Sequence, residues 1–427
     1  MVASGRRRLT GLAAVVTTLV LTATAGPADS AAPAAGPGAG SAWHQPLKQA
    51  PARVGVFDHD VAMGDRVAAI AWAGTRGVRV RLRVPGTDWH QKVRLDGRGS
   101  RSPSVAVNDR GDVAVAWTRE GRNHTRLRVS RRTAGGQWNG PTTLAVGTPA
   151  FGTDGPEVSV GPRGKVSVGL SYARRGGWQP RPRVFTFLDG RWGGPATLAR
   201  RGGNGLRLVT GPRGRVTAAW VNDSGARCVA NGANRTWSPA RCWARPWAGV
   251  PLDLAVDDQG RVYLMSYHGV WSRAPGGEMR REPVPYGRHD AFGGDNSFSL
   301  DASAPGRAAV VWSSGRQTGR ASVAWRTFAS VRSPDGSWSP RAQLSREPAA
   351  SVAVSDVGTT TVAWPARDGI QVVRKLDGQP WSDRRTVVGK PMSSAPYLDV
   401  NASDDVMLLF TRRFDTSHAS LWTAWRP

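Results

Sequence analysis

The chain reads as an all-β propeller of four-stranded antiparallel blades, eight in number, closed by its own N-terminal strand. Three observations predict this. First, one phrase is written eight times: an apolar strand, a short polar turn, and a second strand ending in an aromatic residue. The copies end at Trp72, Trp117, Tyr172, Trp220, Tyr267, Trp312, Trp364 and Phe410, spanning 338 residues at a mean interval of about 48. An all-strand period in that range belongs to propeller blades. Second, another aromatic series, Trp43, Trp89, Trp138, Trp192, Trp237, Trp338 and Trp381, precedes the last strand of seven of the eight units. Third, SAWHQPLK around Trp43 looks like a fourth strand without the preceding three, whereas the last unit, ending in LWTAW, has three strands and no fourth. Pairing these two ends removes the open sheet edges that would otherwise recruit other chains, so a monomer is expected.

The elements follow in order. Arg6, Arg7 and Arg8 precede the apolar run GLAAVVTTLVLTATA and the small-residue site Ala23-Thr24-Ala25, so residues 1–25 read as a secretory signal peptide. Leu9-Thr10 fits a twin-arginine signal poorly, and no Cys follows to take a lipid anchor. Residues 26–40 form a flexible linker rich in Ala, Gly and Pro, and residues 41–427 the propeller. No later apolar run reaches the roughly 20 residues of a membrane span, so a secreted, extracellular protein is expected.

The second unit shows one blade in full. SPSVAV (102–107) is the inner strand, and Asn108-Asp109-Arg110-Gly111 supplies the turn. DVAVAWTR follows, with Val113, Val115 and Trp117 on one side and Ala114 and Ala116 on the other. TRLRVSRR is the third strand, and NGPTTL, after Trp138, the fourth. The strict period of the tryptophans assigns them to blade packing rather than to sugar binding. The fifth unit lacks an outer Trp in RAPGGEMRREPVPY, which leaves seven blades as the runner-up count.

Cys228 and Cys242 are the two cysteines, and they flank the hairpin between the third and fourth strands of one unit. Facing residues of an antiparallel hairpin come within disulfide reach, and an oxidising compartment favours the bond.

The formal charge is +27, and 53 of the 58 basic residues are Arg. A GC-rich genome explains Arg over Lys but not 58 basic residues against 31 acidic ones. The excess suits a polyanion: an acidic polysaccharide, a wall polymer or, without sequence preference, nucleic acid. In VRVRLRV, Arg79, Arg81 and Arg83 share one strand face, and Arg126 and Arg128 repeat the pattern in the next unit. They form either a polyanion-binding stripe or stems covering apolar neighbours.

The layout resembles secreted sialidase-like, BNR-repeat propellers, which implies a propeller but carries over no catalytic residue. Their Asp-box reads S-x-D-x-G-x-x-W; here Trp117 follows Gly111 by six residues, and SPDGSW (333–338) sets Gly directly after Asp. HExxH, P-loop, GxSxG and paired CxxC motifs are also missing.

Irregular loops before the inner strands concentrate acid and His. They carry Asp58, His59 and Asp60; Asp154 and Glu157; and His289, Asp290, Asp295 and Asn296. Gathered at the central mouth, these groups suit a ligand, a Ca²⁺ ion held by oxygens, or a pair of carboxylates cleaving a glycosidic bond. They equally serve as loop caps, and no cofactor is identified. The leading expectation is a secreted, non-catalytic propeller that binds an anionic cell-envelope polymer or glycan. A glycoside hydrolase or lyase acting on an acidic sugar, and a protein-interaction scaffold, are the alternatives.

Overall fold

The computed structural model describes residues 42–149, 155–173, 180–200, 202–243, 253–266, 269–286, 298–303, 306–317, 323–389, 395–413 and 419–427. The expected signal peptide and linker lie outside them. Eight antiparallel blades follow one another along the chain. Their first strands are Val56–Met63, Ser100–Val107, Glu157–Val160, Asn204–Thr210, Asp253–Val256, Phe298–Ala302, Ser351–Val354 and Tyr397–Val400. Each abuts the first strand of the next blade, and the last abuts the first, so the ring closes. The fifth unit is a full blade, its fourth strand being Arg280–Arg281, which settles the count at eight.

Closure follows the expected route. The N-terminal strand, Leu47–Ala50, pairs with Ala419–Arg426 and becomes the fourth strand of blade 8. It begins somewhat later than SAWHQPLK suggests, although His44 N–H already donates to the Trp425 carbonyl at 2.9 Å. Blades 2 and 3 are joined further, because Thr142–Pro149 also pairs with the end of Val166–Ala173.

The seams between blades hold the core. Val113, Val115 and Trp117 pack on Ala69, Ala71, Val78 and Val80 of blade 1. Ala114 and Ala116, on the opposite side, meet Val158, Val166 and Val168 of blade 3. A small-residue side thus lets the next sheet approach while Trp fills the wider gap. Trp72, Trp117, Trp220, Trp312 and Trp364 are fully buried. Most turns after the first strands reverse on a left-handed glycine; Gly164 and Gly214 adopt φ of 73° and 70°. In SPDGSW, Asp335 accepts from Ser337 N–H at 2.9 Å and closes an ordinary hairpin turn.

Cys228 and Cys242 are direct cross-strand partners and form the expected disulfide, with a Cα–Cα distance of 4.1 Å. Among the described residues no helix is long and apolar enough to cross a membrane.

Candidate functional site

The first strands line a central channel. They start at one mouth, here the upper, and end in their turns at the other, the lower. Strand alternation points every second residue into the channel.

Four aspartates on this wall staple neighbouring blades. Asp60 accepts from its own strand at Val61 N–H, 2.9 Å, and from blade 2 at Val105 N–H, 2.8 Å. Asp253 joins blade 5 to blade 6 through Leu254 and Leu300 N–H, both 2.9 Å. Asp301 joins blade 6 to blade 7 through Ala302 and Val354, at 2.8 and 2.7 Å. Asp399 joins blade 8 to blade 1 through Val400 and Met63, at 2.8 and 2.7 Å. All four lie deep in the molecule yet keep partial exposure to the channel. Burial raises their carboxyl pKa values against the pull of the N–H donors: Asp60 to about 6, Asp399 to about 7 and Asp301 to about 8.

The upper mouth gathers several of the sequence-predicted residues. Asp58 accepts from Ser102 N–H at 3.1 Å. His59 meets Tyr397 edge to face with ring centroids 4.8 Å apart, and burial pushes its pKa down to about 4. Burial, then the charges of Asp60 and Asp58, raise the Tyr397 pKa. Glu157 pairs with Arg207 at 3.0 Å, and Arg207 lies within electrostatic reach of Tyr397 and Asp253. The structure therefore brings Asp58, His59 and Asp60 together with Tyr397, and sets Glu157 against Arg207 on the same channel. Asp154, His289, Asp290, Asp295 and Asn296 lie outside the described residues. Tyr397 and Arg207 were missed by sequence reading, because neither belongs to a motif and both depend on ring closure to reach the mouth.

The lower mouth is acidic. Asp109, Asp258 and Asp356, with Asp301 and Asp399 deeper in, line a cavity of about 280 Å³ built from the inner-strand ends and turns. Asp109 is held above the ordinary carboxylate range by burial and then by Asp65 and Asp258; Asp356 is raised by burial and then by Asp258, Asp109 and Asp65. Among the described residues no three His, Cys, Asp or Glu side chains converge as metal ligands.

Beside this mouth the turns form a cationic groove. Arg110, Arg131, Arg163, Lys165 and Arg213 line a space of about 1070 Å³ across blades 2, 3 and 4. Arg131 lies over the Phe187 ring at 3.6 Å, and the Lys165 ammonium donates to the Gly214 carbonyl. Asp112 and Asp189 are the acids of the lining. Asp112 is occupied, accepting from Asn108 Nδ2 at 2.9 Å and Ala134 N–H at 3.0 Å. Arg213 is shared with a second space of about 280 Å³ toward blade 5, which adds Arg215 and Arg273. Burial lowers the Arg273 pKa, and repulsion from Arg241 and Arg215 lowers it further.

The Arg residues singled out from the third strands lie elsewhere. Arg79 and Arg83 are buried in the seam between blades 8 and 1, where Arg83 sits 3.2 Å from the Trp425 ring centroid. Arg81 donates to Gln49 Oε1 at 2.7 Å and to the His90 carbonyl at 3.0 Å. Arg128 binds Asp96 at 2.6 Å, and Arg126 is exposed.

No family model matches the chain, and no curated protein matches it. Solved structures of similar shape exist. A polysaccharide lyase, Uly1, is 9% identical, with a TM-score of 0.49 over 90% of this chain and 99% of that one. An α-L-arabinanase of Penicillium chrysogenum is 11% identical, with a TM-score of 0.40 over 75% of this chain and 92% of that one. The six-bladed fucose-binding lectin of Aleuria aurantia is 13% identical, with a TM-score of 0.38 over 81% of this chain and 99% of that one.

Proposed function

We propose that this chain is an exported propeller that binds an anionic polymer, an acidic polysaccharide or a wall polymer, along the groove beside its lower mouth. The observation that carries the reading is the lining of that groove: five cations, of which the buried Lys165 is bonded to the Gly214 carbonyl, against two acids, of which Asp112 is likewise hydrogen-bonded internally. Arg supports repeated carboxylate, sulfate or phosphate contacts, because its planar donors match those anions in pairs. The groove crosses three blades, so it suits an extended chain better than a compact metabolite. The acidic lower mouth next to it repels the same polymer and confines it to the outer track.

Retention on immobilised heparin tests this. The native protein is expected to elute well above the salt at which a neutral propeller elutes, and Arg163→Glu with Arg213→Glu to elute markedly earlier. Elution unchanged by the double substitution refutes the groove as the binding track.

A second reading rests on the upper mouth. At neutral pH His59 is uncharged and Tyr397 keeps its proton, so the edge-to-face pair offers a base and an acid beside Asp58 and Asp60. Such a pair suits cleavage of an acidic glycan. Release of new reducing ends by the native protein but not by Tyr397→Phe supports cleavage; binding without any release leaves the non-catalytic reading in place.

A further inference from the structure

The seams between blades are repeats of one another, and comparing two of them exposes a difference in charge. In the seam between blades 1 and 2, the buried indole of Trp117 donates to Asp96 Oδ2 at 2.8 Å. Arg128, the cross-strand partner of Trp117, donates to the same oxygen at 2.6 Å, and Arg119 donates to Oδ1 at 3.0 Å. Asp96 is buried, and burial alone would raise its pKa. The donations of Trp117, Gly97 N–H and Arg128 outweigh that and hold it below the ordinary carboxylate range. The fold thus supplies a carboxylate to a Trp–Arg pair.

The seam between blades 8 and 1 has the same Trp–Arg pair without the carboxylate. Trp72 and Arg79 are cross-strand partners, as Trp117 and Arg128 are. Asp96 is the seventh residue after Trp89, and the seventh after Trp43 is Ala50. Ala50 occupies the corresponding fourth strand, at the same kind of bulge, packed in the cluster that contains Trp72. A methyl group stands where the neighbouring seam has an acid. Trp72 Nε1 and Arg79 Nη1 are buried, and neither meets an acceptor. Arg79 itself is 9% exposed, so more than nine-tenths of it is buried. Arg94 lies directly across the strand pair from Arg79. Burial and repulsion from Arg94 and Arg76 lower the Arg79 pKa, and burial, then Arg79, Arg81 and Arg76, lower that of Lys92. Like charges placed opposite one another weaken a sheet unless something between them neutralises the repulsion. Seam 3–4 sharpens the contrast: the Trp220 indole is also without an acceptor, but its cross-strand partner is Cys228 rather than a cation.

We infer that the seam between blades 8 and 1 is a binding site for an external carboxylate, seated on Arg79 and Trp72 as Asp96 is seated on Arg128 and Trp117. Arg76, Lys92 and Arg94 are exposed around it and guide the anion in. The site lies in a different seam from the cationic groove and stands or falls separately from polymer binding there.

Thermal melting in sodium formate, with sodium chloride at equal ionic strength as control, tests it. The native protein is expected to melt several degrees higher in formate than in chloride, and Arg79→Gln to show no formate response. Ala50→Asp supplies the carboxylate internally, so it is expected to melt above the native protein in chloride and to ignore formate. Asp96→Ala is expected to gain an additional formate response in the neighbouring seam. Sodium glucuronate in place of formate separates the ligands: a matching response places a carboxylated sugar in the site, and a response to formate alone restricts it to small free carboxylates. A native protein indifferent to formate, or a response that survives Arg79→Gln, overturns the inference.

Discussion

Asp96 collects three side-chain donors, from Trp117, Arg119 and Arg128, and it shows what a single carboxylate does in this fold. It is buried with Arg128 and Trp117 as partners, so its removal leaves a guanidinium and an indole unsatisfied. Asp96→Ala is expected to destabilise the protein by about 3 kcal/mol, read from chemical denaturation in chloride buffer. The channel aspartates behave in the opposite sense. Asp60, Asp399 and Asp301 have raised pKa values of about 6, 7 and 8, so the folded chain holds protons that the unfolded chain releases. Their contribution is full below an ordinary carboxylate range near pH ~4 and is lost as pH climbs through the range from about 6 to 8. Asp301→Asn should therefore flatten the fall in melting temperature between pH 6 and pH 8; an unchanged slope contradicts the assignment. Little of this was legible in the sequence. Asp60 stood out because it sits beside His59, whereas Asp253, Asp301 and Asp399 look like ordinary strand residues until the ring brings the next blade's N–H groups to them.

Strands and hairpins were far more legible, because their signals are local. Alternation of Val with Ala around Trp117 gave both faces of its strand, and the turn sequence Asn108-Asp109-Arg110-Gly111 gave its end. The Cys228–Cys242 bond followed from facing positions on one hairpin together with an oxidising compartment. Replacing both cysteines with Ala is expected to lower stability by about 3 kcal/mol, because the bond closes a short loop in the unfolded chain; equal denaturation midpoints for the two proteins would argue against it. The N-terminal strand is the element with the longest reach, pairing Leu47–Ala50 with Ala419–Arg426. A chain lacking residues 42–50 exposes the edge of blade 8. It is expected to lose its single cooperative melting transition and to aggregate. A deletion that melts like the full chain would show that closure does not depend on this latch. The loop assignment at the upper mouth was the weakest part of the sequence reading: Asp58, His59 and Asp60 belong to the strand Val56–Met63, and Glu157, Arg207 and Tyr397 also reach the mouth from strands.

Over the whole molecule the charge is not spread evenly, although composition reports it as one number. The lower face carries an acidic centre, formed by Asp109, Asp258 and Asp356, beside a cationic track running from Arg110 to Arg213. The excess of Arg pointed to a polyanion but not to a place, since 53 arginines offer no pattern that singles out the four that line the groove with Lys165. Turn position did, because the Pro-Arg-Gly turns of blades 3 and 4 set Arg163 and Arg213 on one rim. Raising salt is expected to weaken polymer binding linearly on logarithmic axes, as contacts to a polyanion release counterions. Removing both Arg side chains should shallow that slope by about two contacts. The most direct measurement is hydrogen exchange of the protein with and without a saturating anionic polysaccharide. Slowed exchange is expected in the turns at 108–112, 161–165 and 211–215, with the upper-mouth strand at 56–60 unchanged. Protection confined to the upper mouth, or spread over every blade alike, would contradict a lower-face polymer track.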